Sequence, residues 1–145
     1  MKIDNLVLQV AIGVSVAVSG VVHAYLYANG YRDIPTVGPA FLLQGSVFCA
    51  LAVLILVGGP AWLQLAAAAG AAGSLVAFAL SRTVGLFGFV ETGWEPSPYA
   101  ALSVVVEALT MVLVGARVIT WLARDRKNLA DSADTRGRMR IGSGG

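Results

Sequence analysis

The chain has 145 residues, of which 57% are hydrophobic and only 12% charged, and its mean hydropathy is +0.78. Soluble domains carry about 25% charged residues, so this composition excludes an ordinary soluble domain and is typical of an integral membrane protein. The length suits one compact unit. The single cysteine, Cys49, excludes an intramolecular disulfide, and its position inside an apolar run favours a role as core filler.

The first two apolar runs predict two transmembrane helices. The first covers residues 6–28 without a charged residue. About 20 apolar residues cross a bilayer, and a signal-peptide core has roughly 7–15, so we expect a retained helix. A turn-rich connection then carries Arg32 beside Asp33. The second run covers 40–57 and ends at Gly58-Gly59-Pro60, a link so short that it predicts an antiparallel hairpin with the third run.

The third run, residues 61–80, is rich in small side chains at its centre, AAAAGAAGSLVA. Residues at steps of four lie on one helix face, and small residues at that spacing let two helices approach closely. We therefore expect this helix to be the packed centre of the bundle, or of a dimer. The predicted packing residues are Gly70, Gly73 and Ser74.

The connection from Ser81 to Pro98 separates the third and fourth runs and differs from a plain soluble loop. It holds Arg82 together with the carboxylates Glu91 and Glu95, and its aromatic residues are Phe87, Phe89 and Trp94. Glycines punctuate it and prolines end it. It predicts an interfacial hairpin over the mouth of the bundle, with aromatic side chains turned down and carboxylates turned up.

The fourth run covers residues 99–123, and a charged segment follows it. Residues 1–125 are thus predicted to form an all-α bundle of four transmembrane helices, and residues 126–145 a disordered basic tail. The closing Gly-Ser-Gly-Gly is typical of an added linker. The tail favours attraction to anionic lipid over nucleic acid, so no nucleic-acid partner is predicted.

The basic residues predict the topology. Seven of the ten lie from Arg117 onward, and with Lys2 they occupy one side of the membrane if both termini share it. Arg32 and Arg82 then lie on the other side with Asp33, Glu91 and Glu95. The positive-inside rule makes the terminal side cytoplasmic.

Polar residues inside the apolar runs are the strongest functional pointers, because each is costly in a membrane unless paired. Ser15, Ser19, His23 and Tyr27 recur at steps of four and form one stripe on the first helix. His23 lies about 8 Å below the outer end of its helix, Glu107 about 12 Å and Gln44 about 6 Å. We expect a cluster in the outer half of the bundle, with Glu107 facing His23 or Arg82. Its predicted members are Ser19, His23, Tyr27, Gln44, Arg82 and Glu107.

Three interpretations of this cluster stay open. The first is structural, with hydrogen bonds that only set helix register. The second is a small-molecule, quinone, lipid or proton site beneath the loop. The third is a metal or haem site, which the few soft ligands disfavour; haem held by His23 of two subunits is its one testable form. No cofactor and no metal site are therefore predicted.

The chain resembles a group of small four-helix membrane proteins of high-GC Gram-positive bacteria. The residues that carry the resemblance are His23, the stretch Pro35-Thr36-Val37-Gly38-Pro39-Ala40-Phe41-Leu42-Leu43, and Ser81-Arg82-Thr83-Val84-Gly85-Leu86; Glu95-Pro96 and Glu107 fit the same outline. The resemblance covers residues 6–123. It implies four transmembrane helices in a bacterial inner membrane and implies no function.

The leading hypothesis for function is a non-catalytic accessory subunit or assembly partner of a larger membrane complex, with partner chains or a second copy docking through the third helix. It is supported by the small-residue helix, the short loops and the absence of a recognisable catalytic set. A ligand-binding protein or enzyme that uses the outer-half cluster is the first alternative. An oligomeric transporter or channel is the second, because four helices alone enclose no wide pore.

Overall fold

The computed structural model of the protein describes the backbone of residues 2–142 and the side chains of residues 4–132. It contains four helices: α1 (Lys2–Leu26), α2 (Val37–Leu56), α3 (Trp62–Thr83) and α4 (Tyr99–Gly142), with a π-helical turn, Tyr27–Tyr31, after α1. All four are long and apolar enough to cross a membrane. The predicted fold class, an all-α bundle of four packed helices, is confirmed, and the chain is a multi-pass membrane protein.

The chain divides into two compact units, one up to Val114 and one from Gly115 onward. The first contains α1, α2, α3 and the beginning of α4, and the second continues α4 as helix to Gly142. This helix extends past the predicted end at 123, because residues 124–136 contain neither proline nor glycine. The backbone of α4 is helical up to Gly142, residues 143–145 lie outside the described residues, and the disordered tail over residues 126–145 stays a prediction.

Within the single chain the most buried helix is α1 and not the third helix; the other form of the prediction, that the third helix is the centre of a dimer, stays a prediction. In the most apolar stretch of α1, 44% of the residues are buried, against 22% in α3. Ile12 and Val16 of α1 are fully buried, as are Ala67 and Ala71 of α3. The small residues of α3 thus pack on one narrow face, while α1 has neighbours on several sides.

The closest helix crossing joins α1 to α2 through two glycines. A Cβ atom on Gly45 would lie 3.0 Å from the backbone nitrogen of Ala24 and 3.1 Å from the carbonyl oxygen of Gly20. Contacts this short are tighter than nine in ten real Cβ contacts, and both atoms belong to the main chain, so the two helices approach each other closely here. Of the predicted packing glycines of α3, Gly70 lies against the Phe48 ring, whereas Gly73 faces open space.

Local backbone chemistry positions the two connections that cover the outer-half cluster. The helix α2 begins at Val37, three residues before the predicted start, because Pro39 falls in the first turn, where its missing N–H is not needed. The helix α3 ends at Thr83, and Gly85, two residues later, has a φ of 86° and donates its N–H to the Leu80 carbonyl at 2.8 Å. Glycine favours this left-handed conformation, so the loop leaves α3 in a defined direction.

The crossing of α1 and α2 yields a paired prediction. Gly45→Ala should lower the thermal stability in detergent by about 1–3 kcal/mol, because the new methyl group meets backbone that cannot move aside. Gly73→Ala is the matched control. Its added methyl group meets open space, and alanine favours helix by about 1 kcal/mol, so this variant should melt at or above the parent. Equal melting of the two variants would contradict the backbone contact.

Candidate functional site

Glu107 of α4 is the most buried charged residue among those with described side chains, at 1% exposure. The hydroxyl of Ser19 on α1 donates to its Oε1 at 3.3 Å. Ser74 on α3 and Ser103 on α4 line the same cavity as this carboxylate. Three helices therefore place hydroxyl groups around one carboxylate, a group that is otherwise costly in an apolar bundle.

His23 lies beside this carboxylate in a fixed orientation. Its Nδ1 is 2.9 Å from the carbonyl oxygen of Ser19. A carbonyl only accepts, so Nδ1 carries a proton and the hydrogen-bond network assigns the tautomer. The other nitrogen, Nε2, then faces the Ser74 hydroxyl at 3.3 Å and Oε1 of Glu107 at 3.6 Å. An imidazole nitrogen and a carboxylate thus face each other, and either can hold a proton between them.

Below Glu107, towards the start of α1, the polar contacts of the cluster continue for one turn, and an apolar layer follows. Ser15 donates to the Val106 carbonyl at 2.8 Å, and its hydroxyl lies 2.8 Å from that of Thr110, which is fully buried. The next inward residue of α1 is Ile12, also fully buried, as is Ile55 of α2. The floor of the cluster is therefore closed by apolar packing.

Above the cluster, Arg82 organises the loop. Its Nη2 lies 3.2 Å from Oε2 of Glu91, and its guanidinium also donates to the carbonyl oxygens of Gly93 and Glu95. The hydroxyl of Tyr31 donates to Oε1 of Glu91. Arg82 is thus paired with Glu91, and we do not find the alternative pairing with Glu107 that the sequence left open. Glu91 turns inward, contrary to the expectation that the loop carboxylates point up.

Aromatic rings form one wall between the two polar layers. Tyr31 stacks on Phe41 with ring centroids 4.6 Å apart, and Phe89 meets Tyr31 edge-on at 6.0 Å. Phe41 also lies 5.2 Å from the imidazole of His23. The loop turns Phe89 inward while Phe87 stays 74% exposed, so only part of the predicted aromatic orientation occurs.

A tight hairpin causes this split between the two phenylalanines. Leu86 and Phe89 exchange backbone hydrogen bonds of 2.8 and 2.9 Å, and the two residues between them, Phe87 and Gly88, have φ values of 52° and 80°. Two consecutive positive φ angles are typical of a type I′ turn, which reverses the chain in two residues. The strained tip places Phe87 outside and returns Phe89 to the bundle.

These layers line a cavity of about 90 Å³ beneath the loop of residues 81–98. This volume could hold about three water molecules, at roughly 30 Å³ each. The side chains that carry its chemistry come from all four helices and the loop: His23, Tyr31, Phe41, Ser74, Arg82, Glu91, Ser103 and Glu107. No group of three or more metal-ligating His, Cys, Asp or Glu residues occurs in the described part of the chain.

Two other predicted cluster residues, Gln44 and Tyr27, do not line this cavity. Gln44 lines an adjoining groove that shares His23, Phe41 and Ser74 with the cavity, and its Nε2 has no hydrogen-bond partner there. Tyr27 is half-buried in the π-helical turn.

The spacing of four residues predicts that Tyr27 faces the bundle, but Tyr31 does so instead. The π-helical turn is wider than an α-helical turn and changes which residues face inward. Sequence analysis missed Tyr31 and Phe41; the continuation of the stripe from Tyr27 to Tyr31 was the only signal for the first.

The chain was compared with protein families, curated proteins and solved structures. None of the three comparisons found a match. The functional interpretation therefore rests on the cavity and its lining residues.

The contact between Glu107 and His23 yields a second prediction. Glu107→Gln and His23→Ala, each alone and together, should give non-additive losses of thermal stability in detergent, with a coupling of about 0.5–3 kcal/mol. The coupling arises because one change leaves the remaining partner buried beside an unmatched group. As a control, the losses from Glu107→Gln and Gln9→Ala should be additive within about 0.5 kcal/mol. Gln9 lies elsewhere on α1 and donates to the Ile55 carbonyl of α2. Additivity in the first cycle would mean that the two residues do not interact.

Proposed function

We propose that this four-span membrane protein binds a small polar molecule or ion in the cavity beneath the loop of residues 81–98. The observation that carries the proposal is the position of Glu107, a carboxylate at 1% exposure that borders a cavity. A carboxylate that served only to join helices would be packed on all sides. Perturbed ionisable groups in a cleft with converging polar side chains are typical of a binding site.

The lining favours recognition over catalysis. Serine hydroxyls surround Glu107 on one side and His23 lies on the other, which gives a polar floor of mixed donors and acceptors. The aromatic wall of Tyr31, Phe41 and Phe89 supplies apolar contact, as ligand pockets commonly do. Glu107 and His23 are the residues that we expect to contact the ligand.

The fully buried apolar layer below the site argues against a channel. Ile12, Ile55 and Ala67 are each 0% exposed and belong to three different helices. The accessory-subunit hypothesis is based on the small residues of α3. Two of them, Ala67 and Ala71, are buried inside the bundle itself and are not accessible to a partner chain. Association with other membrane chains through the open surface at Gly73 stays a hypothesis and does not compete with ligand binding.

The proposed location is the cytoplasmic membrane of a bacterium, with both termini cytoplasmic and the cavity facing outward. The basic residues support this orientation, since seven of the ten lie from Arg117 onward. The bacterial membrane is supported by the resemblance of residues 6–123 alone. In this orientation the ligand reaches the cavity from the outer face.

The ligand proposal is tested by native mass spectrometry of the protein extracted in mild detergent from its native membrane. The parent protein should carry a non-covalent adduct of small mass, and Glu107→Gln should lose it. Thr110→Val is the matched control: Thr110 is also fully buried on α4, three residues away, and does not line the cavity. This variant should keep the adduct. An adduct-free parent, or an adduct that all three proteins retain equally, would refute ligand binding at Glu107.

The orientation is tested by cysteine labelling in intact cells, in a background with Cys49 replaced. Asp33→Cys should react with a membrane-impermeant maleimide, because its exposed position lies in the outer connection. Ser132→Cys, equally exposed on α4, should react only after the membrane is opened. The reverse labelling pattern would overturn the proposed topology.

A further inference from the structure

We propose that the cavity binds a small organic ammonium ion and that each cation bound releases one proton to the outer side. This inference rests on the proposed function, because it names the ligand class of the same cavity. Four titratable or charged groups line the cavity with Glu107. They are His23 on α1, Tyr31 in the π-helical turn, Arg82 on α3 and Glu91 in the loop.

The upper charges cancel one another. Arg82 and Glu91 form an ion pair at 3.2 Å, and the guanidinium is further occupied by the carbonyls of Gly93 and Glu95. The hydroxyl of Tyr31 donates a hydrogen bond to Glu91 and contributes no charge. The layer formed by Arg82, Glu91 and Tyr31 is therefore neutral. Its guanidinium is already hydrogen-bonded, so an anionic ligand would find no free cationic partner there.

The lower charges leave one proton to exchange. Nδ1 of His23 keeps its proton in the bond to the Ser19 carbonyl, so only Nε2 and the Glu107 carboxyl can gain or lose one. With one proton shared between these two groups the floor is neutral, whether the proton is on the carboxyl or on the imidazole. Without that proton the floor carries one negative charge at a depth where an uncompensated charge is strongly disfavoured.

A monovalent cation can take the place of that proton with no change in the net charge of the cavity. The cation then pairs with the carboxylate of Glu107, and the shared proton leaves to the outer solution, so charge and protons balance. Oxygen acceptors for the N–H groups of an ammonium ion are supplied by Glu107 and by the hydroxyls of Ser74 and Ser103. The exchange is therefore one cation for one proton.

The aromatic wall selects an organic cation over a bare metal ion. The rings of Phe41, Tyr31 and Phe89 lie in contact with one another along the cavity. Aromatic faces attract ammonium groups and pack against their alkyl substituents. A cavity of about 90 Å³ limits the ligand to a few non-hydrogen atoms, the size of ethylammonium.

The test is isothermal titration of the full chain in detergent with ethylammonium chloride, sodium chloride and sodium acetate, over about two pH units. Ethylammonium should bind, and its affinity should rise about tenfold per pH unit while one proton is displaced, following proton linkage. Sodium chloride and sodium acetate should show no comparable binding. Ethylammonium binding without pH dependence would overturn the proton exchange, and preferential binding of sodium or acetate would overturn the ligand class.

Two variants separate the contributions of charge and rings. Glu107→Gln should abolish ethylammonium binding, while the control Thr110→Val should bind like the parent. Phe41→Leu keeps the charges and should weaken binding about two- to thirtyfold with the pH dependence intact. This variant keeps the inference testable if Glu107→Gln fails to fold; unchanged affinity in Phe41→Leu would refute the aromatic contribution.

The two proposals fail in different ways. If native mass spectrometry detects an adduct that Glu107→Gln loses, but ethylammonium does not bind, ligand binding stands and the ammonium inference is wrong. If no adduct is present and no probe binds, both are wrong.

Discussion

A carboxylate inside an apolar bundle must be hydrogen-bonded or neutralised, and the rest of this structure depends on how that requirement is met at Glu107. Ser19, Ser74 and Ser103 bring hydroxyl groups to it from three helices, and His23 adds an imidazole at 3.6 Å. An isolated buried charge would be costly in lipid. The positions of α1, α3 and α4 relative to one another are therefore tied to a single side chain, in addition to apolar packing.

The remaining helix, α2, is held in place by its close approach to α1. The crossing at Gly20 and Gly45 has no room for a side chain, so it fixes the distance between the two helices over their outer halves. Four residues before Gly45, Phe41 is thereby held against the imidazole of His23, at 5.2 Å between ring centroids. Small residues at this crossing thus position a ring of the cavity wall.

The helices could be predicted from the sequence because apolar runs of bilayer length need no tertiary information. The shared depth of His23 and Glu107 follows equally from counting residues along helices. The partner of Arg82 could not be predicted, because it depends on a loop whose path is set by positive φ angles at Gly85, Phe87 and Gly88. The most buried helix could not be predicted either, since small residues indicate a close contact but not which neighbour makes it, and one such contact lies at Gly45 between α1 and α2.

The two ion-pairing layers of the cavity differ in their contact with water, and this difference determines which of them controls its charge. The side chains of Arg82 and Glu91 are 12% and 21% exposed, whereas those of His23 and Glu107 are 6% and 1% exposed. Water and counterions screen the upper pair, so a local imbalance there is tolerated. The lower pair lacks that screening, and its net charge must stay near zero. In the proposed exchange, a ligand that enters past the loop meets a layer that tolerates its charge before it reaches one that requires compensation. The proposed coupling between ligand charge and proton content therefore depends on Glu107 and His23.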